Sequence, residues 1–585
     1  TTAIGLGALQ NQNFTTATDT YNVAVGFQAG HDVTTGVQNT LIGGLAGDAL
    51  TTGDGCVAIG FEALSTEDGN GNSVAVGRQA LRTQNAGAEA YNVAVGNGAG
   101  YNVTTGVQNT LIGSGAGDAL TDADFNVAIG ADALGADTLG SRSVAIGRRA
   151  LITQNFTTAT DAYNIAIGFE AGHNTTTGIN NTLIGGLAGD AITTGDYNVA
   201  FGRSALSTNT ASNTNVAIGG QSLADFNVTT DTDTHNVAVG YATGAAMTTG
   251  TFNTLIGGLA GDALTDADQN VAIGYVALTS DTLGSHSVAV GPSALFTQNF
   301  TTATSSYNVA VGSAAGASVT TGDRNTLIGG LAGDALNTGA ANVAVGYLAL
   351  SADTKGASNV AVGRSALGAQ NFTTGTDSFN TAVGDRAGGA VTTGINNTLV
   401  GGLAGDALTD ADYNTSVGGA NLSTDTLGSQ TTSIGYGALV TQNFTTATNT
   451  QNTAVGYNAG TNLTTGQADT FIGHSSGENV TTGATNTFVG TSSGKGISGA
   501  KLSGSNNCGI GAGAGLLLQG AANANIFLGS DAGDSCTTGA RNICVGTNAN
   551  PSTATNTNSI ALGHDLVAAS NDFTFGKNGA SATCD

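Results

Sequence analysis

The sequence contains no tryptophan, only two prolines, and charged residues at just 9% of its 585 positions. Charged residues make up about 25% of an average globular domain, so the chain departs from that class. Its 40% content of hydrophobic residues is nevertheless too high for a disordered chain. The apolar residues are mostly Ala, Val, Ile and Leu, which suit thin, closely stacked β-layers better than a thick globular core.

Basic residues are scarce. The chain has 14 Lys and Arg against 40 Asp and Glu, which gives a formal net charge of −26. Nucleic-acid binding requires a basic surface that replaces counterions, so we expect no nucleic-acid partner. Adhesion to anionic membranes is disfavoured for the same reason. No apolar run approaches the roughly 20 residues that span a bilayer, so the sequence predicts no membrane partner either.

The five cysteines are too few and too scattered for a disulfide framework or a zinc site. Four of them lie in the C-terminal part of the chain without paired C-x-x-C spacing: Cys508, Cys536, Cys544 and Cys584. The sequence leaves two alternatives for them, one late disulfide bond or buried free thiols.

The histidines show no pattern that indicates catalysis. No Ser or Cys nucleophile stands out beside one of them, and they form no recurrent column: His31, His173, His235, His286, His474 and His564. We therefore expect no enzymatic activity. An enzymatic alternative, such as a solenoid that cleaves polysaccharides, would require a cluster of carboxylates on a groove.

Glycine is abundant instead, at 92 positions, and it marks a repeat. We use the term anchor glycine for the Gly that closes each V-A-V-G-like element. Successive anchor glycines follow one another at intervals of 21, 17, 17 and 17, with one interval of 19 in place of 21. The chain is therefore built from a 17-residue unit, and four units with one four-residue insertion form a 72-residue super-repeat. Such a period indicates a repeat architecture rather than several globular domains.

The segment N-V-A-V-G places large apolar residues two apart, which is the periodicity of a strand. We expect each unit to contain a strand of four to five residues, a turn, a second short strand around the Ala-Gly or Ala-Leu pair, and another turn. This is one coil of a parallel β-solenoid, and about 33 coils stacked about 4.8 Å apart would form a rod about 160 Å long. The anchor glycines permit a positive φ or a close turn; the first of them are Gly26, Gly43, Gly60 and Gly77.

An asparagine precedes most strands. It lies four positions before 24 of the 33 anchor glycines, as in Asn22, Asn39, Asn92, Asn109, Asn126 and Asn164. Amides stacked in successive coils can form a hydrogen-bonded ladder. The alternative is that Asn merely suits the turn conformation.

The four-residue insertion carries the motif QNF, in which Phe recurs at one place and Val228 replaces it once. The phenylalanines are Phe14, Phe156, Phe300, Phe372 and Phe444. We expect a loop that bulges from the solenoid once per super-repeat, with its Phe packed back on the shaft. We interpret it as a clasp that locks a trimer rather than as a receptor site.

Two sets of aspartates raise the question of calcium. One set occurs once per super-repeat, which is too sparse for calcium-binding nonapeptide repeats and favours turn capping: Asp48, Asp118, Asp190, Asp262, Asp334 and Asp406. The other set places two carboxylates in one turn and is the better calcium candidate, with solvated loop charge as the alternative: Asp122 with Asp124, Asp266 with Asp268, and Asp410 with Asp412. No other cofactor is expected.

Threonine-rich turns raise an ice-binding alternative. It requires a Thr column in nearly every coil, whereas the TTG motif recurs mainly once or twice per super-repeat. The sequence does not favour this function.

The regularity changes near residue 490. Residues 1–490 keep the repeat, and we interpret them as the solenoid shaft. In residues 491–585 the intervals loosen to 21, 18, 17, 17 and 13, and Cys and Lys become more frequent. A solenoid needs atypical end units to protect its edges, so we interpret this part as a cap or as a junction to another protein.

The strand motifs "NVAVGFQAG", "NSVAVGRQAL", "RSVAIGRRAL" and "NVAIGGQSL" resemble the YadA-like head repeats of trimeric autotransporter adhesins, and similar repeats of bacteriophage tail and virion fibres. The resemblance covers nearly the whole chain. It implies an all-β, left-handed parallel β-roll packed as a homotrimer. The 17-residue coil is longer than the unit typical of the adhesin heads, and the sequence shows neither a heptad stalk nor a membrane anchor.

The segment "NSIALGHDLVAASNDFTFG", residues 558 to 576, resembles segments that precede the assembly chaperone of phage fibres. We therefore expect a long trimeric rod in a phage tail or virion appendage that serves host attachment. Its partners would be its own copies, other fibre proteins at its ends, and a host-surface glycan or protein. The alternative is a bacterial cell-surface adhesin or extracellular filament.

Overall fold

The computed structural model describes residues 1–69 and 71–576. These residues form strands and turns, with no helix among them, and hence no helix long and apolar enough to cross a membrane. The described chain divides into two compact units. The first comprises Thr1–Ser287 with Asn299–Ser305, and the second comprises Val288–Gln298 with the chain from Ser306 onward.

The first unit contains one main strand per coil. Each strand has three residues, and they are Thr2–Ile4, Val23–Val25, Thr40–Ile42, Val57–Ile59, Val74–Val76, Val93–Val95, Thr110–Ile112, Val127–Ile129, Val144–Ile146, Ile165–Ile167, Thr182–Ile184, Val199–Phe201, Val216–Ile218, Val237–Val239, Thr254–Ile256 and Val271–Ile273. Successive strands pair in parallel with equivalent residues side by side, so that Val127 lies opposite Val144. This is the predicted parallel β-solenoid with 17-residue coils.

The second unit repeats the arrangement, and its main strands pair in parallel, as Ile543 does with Ile560. Its main strands are Val288–Val290, Val309–Val311, Thr326–Ile328, Val343–Val345, Val360–Val362, Thr381–Val383, Thr398–Val400, Thr415–Val417, Thr432–Ile434, Thr453–Val455, Thr470–Ile472, Thr487–Val489, Cys508–Ile510, Ile526–Leu528, Ile543–Val545, Ile560–Leu562 and Phe573–Phe575. Strands continue past Gly490, and the placement of a boundary there stays a prediction.

The predicted second strand around Ala-Gly or Ala-Leu is wrong, because that stretch is a turn. The residues two and four places after an anchor glycine have left-handed backbones, as in Glu62 (φ 53°) and Leu64 (φ 55°). A strand cannot contain such residues, since its backbone requires negative φ. The main strands are also shorter than the four to five residues expected.

A second set of strands lies elsewhere, around the insertion loop, and recurs mainly once per super-repeat. In the first unit these two-residue strands are Gly140–Ser141, Thr160–Asp161, Ser212–Asn213, Thr232–Asp233, Gly284–Ser285 and Thr304–Ser305. In the second unit they are Gly356–Ala357, Thr376–Asp377, Gly428–Ser429, Thr448–Asn449, Asn550–Pro551 and Val567–Ala568. Each pair is parallel, as in Gly140 opposite Thr160. The pairs at the insertions make the 72-residue period visible in the fold.

The anchor glycine is required for two reasons. Gly26 has φ 144°, and a Cβ on it would lie 2.6 Å from the carbonyl carbon of Gly43 in the next coil. Both expected causes, a positive φ and a close backbone approach, therefore act at the same position.

The core depends on complementary sizes at neighbouring positions. Ala24, Leu41 and Ala58, the central residues of three successive strands, are fully buried. Leu41 fits because Gly30 lies beside it: a Cβ on Gly30 would be 2.5 Å from the Leu41 Cδ1 atom. A large residue at a strand centre therefore requires glycine in the adjacent turn.

The cysteines that the structure describes in the second unit are free thiols. Cys508, Cys536 and Cys544 form no disulfide bond with one another. Burial raises the pKa of Cys536 to about 11 and that of Cys544 to about 12, so both stay protonated and unreactive. Cys584 lies outside the described residues.

Candidate interaction face

The asparagine column joins each coil to the next through the backbone. The Asn22 Oδ1 atom accepts a hydrogen bond from the Asn39 backbone N–H at 2.8 Å, and the Asn39 Nδ2 donates to the Gly53 carbonyl at 2.7 Å. Direct bonds between amides also occur, as from Asn359 to Asn342 at 3.0 Å. The sequence predicts amide-to-amide bonds; the additional bonds to the backbone, in which one side chain both accepts and donates, explain why Asn is the prevailing residue at this position.

The other predicted members of this column have the same geometry. The Asn109 and Asn126 backbone N–H groups donate to Asn92 and Asn109 Oδ1 atoms at 2.8 and 2.9 Å. Asn164 Oδ1 accepts from the Asn181 N–H at 2.9 Å. All of these side chains are buried, so the column holds the coils together and offers nothing to a ligand.

Asp469 interrupts the column. Its Oδ1 accepts from the backbone and side chain of Asn486 at 2.8 and 3.1 Å. Its Oδ2 lies where an asparagine would have its amide nitrogen. In the preceding coil that nitrogen belongs to Asn452 and donates to the Gly466 carbonyl. An ionised oxygen cannot donate, and Oδ2 is buried without a partner. Burial raises the pKa of Asp469 to about 7.

The insertion loop contains a buried hydrogen-bond network that the sequence analysis missed. The Gln154 Nε2 donates to Asp137 Oδ2 at 2.5 Å and to Ser143 Oγ at 3.0 Å, and the Asn164 Nδ2 donates to Gln154 Oε1 at 2.9 Å. Asp137 Oδ1 accepts from the Phe156 N–H at 3.2 Å. Burial raises the pKa of the Asp137 carboxyl, and these hydrogen bonds oppose the shift. The network fixes the loop to its own shaft.

The same set recurs in later copies. The pairs with a bond from Gln to Asp are Asp353 with Gln370 and Asp425 with Gln442, and Gln84 bonds to Glu67 in an earlier coil. In one copy both members change together: Asn209 stands in the place of the Asp and Phe226 in the place of the Gln, and both are buried. The sequence signal was this co-occurrence of Asp and Gln one coil apart.

The loop phenylalanines pack on the shaft in most copies. Phe156, Phe300, Phe372 and Phe444 are 5–6% exposed. Phe14, in the first of the insertion loops, is only half-buried, as is Val228. Whether the loops also lock a trimer stays a prediction.

The carboxylates of the aspartate pairs bond separately to the preceding coil. Asp122 Oδ1 accepts from the Thr105 hydroxyl at 2.6 Å, whereas Asp124 Oδ1 accepts from the Val107 N–H at 2.8 Å. The pairs Asp266 with Asp268 and Asp410 with Asp412 bond in the same way to the preceding coil. Calcium takes six to eight oxygen ligands, and the described residues contain no group of three or more His, Cys, Asp or Glu that could hold a metal ion.

The other aspartate column is half-buried and carries turn contacts. Burial raises the pKa of Asp48, although a hydrogen bond from its own backbone amide opposes the shift. One carboxylate oxygen is buried without a hydrogen-bond partner in Asp48, Asp190, Asp334 and Asp406. In Asp262 that oxygen accepts from the Thr279 hydroxyl. Burial also raises the pKa of Asp118.

The outward residues of the main strands form what we call the outer apolar face. In every main strand between the first and the last, the central residue is buried and the first and third point outward, as in Val57 and Ile59 on either side of Ala58. Between the first and last strands, outward apolar residues that are more than a third exposed occur in the first unit at Ile42, Val95, Ile112, Ile165, Phe201 and Ile256, and in the second unit at Ile328, Ile434, Ile472, Ile510 and Ile526. An apolar stripe of this kind is unusual on a soluble monomer.

Exposed aromatic residues border this face at both ends of the strands. Those two places before the strand are Tyr21, Tyr91, Phe125, Tyr163, Tyr197, Phe252, Tyr307, Phe379 and Tyr413. Those directly after the anchor glycine are Phe27, Phe61, Phe169, Tyr241, Tyr275, Tyr347, Tyr436 and Tyr457. Some stack along the solenoid, as do Tyr436 and Tyr457 with ring centroids 5.9 Å apart. Neither aromatic column was recognised in the sequence, because each is interrupted by other residues.

The first outward residue changes from Val to Thr in part of the second unit. It is Thr in seven consecutive strands: Thr381, Thr398, Thr415, Thr432, Thr453, Thr470 and Thr487. The third residue stays Val or Ile in these strands. The face there is a Thr column beside an apolar column.

The sequence matches no protein-family model and no curated protein sequence. The similarity to adhesin and phage-fibre repeats therefore depends on the strand motifs and on the segment of residues 558 to 576 alone.

Proposed function

We propose that this chain is a structural fibre protein whose copies associate through the outer apolar face. The face is the observation that carries the proposal. Val and Ile side chains recur outward in coil after coil, beside exposed aromatics, on a chain that has only 9% charged residues. Burial of such a face against another copy removes apolar area from water, and the gain increases with the number of coils.

The proposed assembly is a homotrimer. Its support is the resemblance to adhesin and phage-fibre repeats, together with the recurrence of outward apolar residues in successive coils. Three copies related by a closed rotation can turn their faces to one common axis, so that none stays exposed to further copies. Assembly thus limits itself to three chains.

We propose that this fibre belongs to a phage tail or virion appendage that serves host attachment. The last described coil supports the interpretation that residues 491–585 are a cap or a junction. Ile560 pairs with Phe573, so this coil has 13 residues, whereas most coils have 17. A shortened coil limits further stacking at an edge. The bacterial surface adhesin remains the alternative, and electron microscopy of native particles, with the chain labelled by antibody, distinguishes the two.

The oligomeric state tests the proposal. We expect the full chain to sediment as a trimer. The double substitution Ile112→Lys and Ile256→Lys places two charges on the outer apolar face, two super-repeats apart. It should shift the population to monomer, because each Lys buried between copies would require desolvation.

The matched control puts the same charges in exposed turns, with Thr35→Lys and Thr177→Lys, and should leave the trimer intact. A further pair, Thr157→Lys and Thr301→Lys, tests whether the insertion loops also contact neighbouring chains. A stable wild-type monomer, or equal loss of the trimer in the turn control, would refute association through the face.

A further inference from the structure

A groove lies beside the outer apolar face of the first unit. Arg203, Gly220 and Tyr241 each follow an anchor glycine in three successive coils. Gly220 carries no side chain, so a space of about 380 Å³ opens between the two large neighbours, with Gln221 at its side. Arg203 and Tyr241 lie two coils apart, and two coil spacings of about 4.8 Å separate their backbones by about 9.6 Å. This distance sets the width of the groove.

Tyr241 forms an aromatic wall of this groove. A Cβ on Gly220 would lie 3.7 Å from the Tyr241 Cδ2 atom and 4.0 Å from its Cε2 atom, so the ring packs along the backbone of the neighbouring coil. The side chain is nevertheless 63% exposed. A ring held on one side and open on the other is a platform for a flat, partly apolar ligand.

Arg203 and Gln221 supply polar groups without partners of their own. Arg149 forms an ion pair with Glu170 at 2.8 Å, and Arg364 pairs with Asp385 at 2.7 Å. Within residues 1–69 and 71–576, by contrast, the Arg203 side chain makes no ion pair or hydrogen bond, nor does the Gln221 side chain bond to any residue. Their backbones are joined, with the Gln221 N–H donating to the Arg203 carbonyl at 3.0 Å.

We propose that this groove binds a saccharide that carries a carboxylate. Tyr241 offers its ring to the apolar face of a pyranose, Arg203 offers the planar fork that matches a carboxylate, and Gln221 can both donate to and accept from hydroxyl groups. The volume lies in the range of small-ligand sites. The inference rests on the proposed role in host attachment, for which it names the class of ligand, but it does not depend on the proposed assembly, because all four residues belong to one chain.

The adjacent coil provides a matched comparison. Tyr275 packs on Gly258 as Tyr241 packs on Gly220, at 3.7 Å from the added Cβ, and it is equally exposed. There, however, Leu259 stands in the place of Gln221, and Tyr241 stands in the place of Arg203. This second site keeps the platform and lacks the polar groups.

Calorimetric titration of the full chain tests the proposal with four probes: oligogalacturonate, oligomers of sialic acid, a neutral malto-oligosaccharide of equal length, and hexaglutamate. We expect at least one acidic saccharide to bind about tenfold more tightly than the neutral sugar and hexaglutamate. Arg203→Gln and Tyr241→Ala should each weaken that binding about tenfold, whereas Tyr275→Ala should change it less than about twofold.

Three results would overturn the proposal: no binding of either acidic saccharide, equal binding of hexaglutamate, or equal effects of Tyr241→Ala and Tyr275→Ala. The oligomeric state is measured by sedimentation on the same samples. A failure of saccharide binding in an intact trimer is thereby distinguished from a failure of assembly.

Discussion

Two stretches of the chain have the same coil but different outer surfaces. In residues 127–218 the first outward residue is Val or Ile in all strands but one, and in residues 381–489 it is always Thr. The inner asparagine bonds recur in both stretches: the Asn198 N–H donates to Asn181 Oδ1 at 2.9 Å in the first, and the Asn397 N–H donates to Asn380 Oδ1 at 2.9 Å in the second. Only single coils carry another residue at this position, namely Ser143, Thr431 and Asp469. The inner column therefore determines the fold, and the outer positions are free to carry function.

The contrast between a recurring inner column and a variable outer face can be tested by substitutions at inner and at outer positions. Because a solenoid coil interacts only with its neighbours, each effect should be local. Hydrogen exchange followed by mass spectrometry measures the free energy of local opening coil by coil. It is therefore the appropriate readout for the inner substitutions.

The largest effect is expected at an anchor glycine. A Cβ on Gly401 (φ 132°) would lie 2.6 Å from the carbonyl carbon of Gly418, in backbone that cannot move away. Gly401→Ala should reduce the free energy of opening of its coil by about 4 kcal/mol or more. The adjacent Gly402 has no neighbour within 4 Å and no positive φ, so Gly402→Ala should change that free energy by less than about 1 kcal/mol. Equal effects at the two positions would contradict the inner–outer contrast.

The next effect concerns the buried Asp–Gln network. Gln154→Phe leaves the Asp137 carboxylate without its side-chain donor and should cost about 3 kcal/mol of local stability. Asp137→Asn added to Gln154→Phe recreates the natural pair Asn209 and Phe226, and should recover most of the loss. The free energy of opening is measured by hydrogen exchange at residues 140–161. The coupling idea fails if the double variant is as unstable as the single one.

A smaller effect, with a definite pH dependence, is expected at Asp469. Its pKa in the folded chain is raised by burial from the usual 3.8 to about 7. The contribution of this carboxyl to the free energy of unfolding is therefore largest below about pH 4, where it is protonated in both states. The contribution is lost as the pH rises to about 7, because the unfolded chain releases the proton first. Asp469→Asn restores a donor to the column and should remove this pH dependence, with a gain of about 2 kcal/mol at pH 8.

The measurement for Asp469→Asn is hydrogen exchange in residues 453–489 at pH 5 and pH 8, with correction for the intrinsic exchange rate. The difference between variant and wild type should grow with pH and stay constant above pH 8. Asp353→Asn is the control, because the Asp353 carboxylate already has Gln370 as its donor at 2.6 Å and the substitution should not stabilise its coil. A gain independent of pH would show that the Asp469 carboxylate is not the cause.

Much of this fold could be predicted from the sequence because its period is strict. Repetition indicated the parallel strands, and the anchor glycines such as Gly43 indicated both the turn and the close approach. The second strand was placed wrongly because ordinary residues such as Glu62 occupy a left-handed backbone, which their side chains do not reveal. The bonds of Gln154 and the groove at Gly220 depend on which side chains meet across coils, and one coil's sequence does not contain that information.

The smallest effect on stability is expected on the outer apolar face. Val199→Thr and Val216→Thr together reproduce, in the first unit, the residue that the strands of residues 381–489 carry at the same place. Because both side chains are β-branched and half-exposed, each exchange should change the free energy of local opening by less than about 0.5 kcal/mol. Self-association should weaken nevertheless, since each Thr hydroxyl loses water when two faces meet. Sedimentation over a range of protein concentrations measures this loss, and unchanged association alongside unchanged stability would show that the valines of this face do not contribute to assembly.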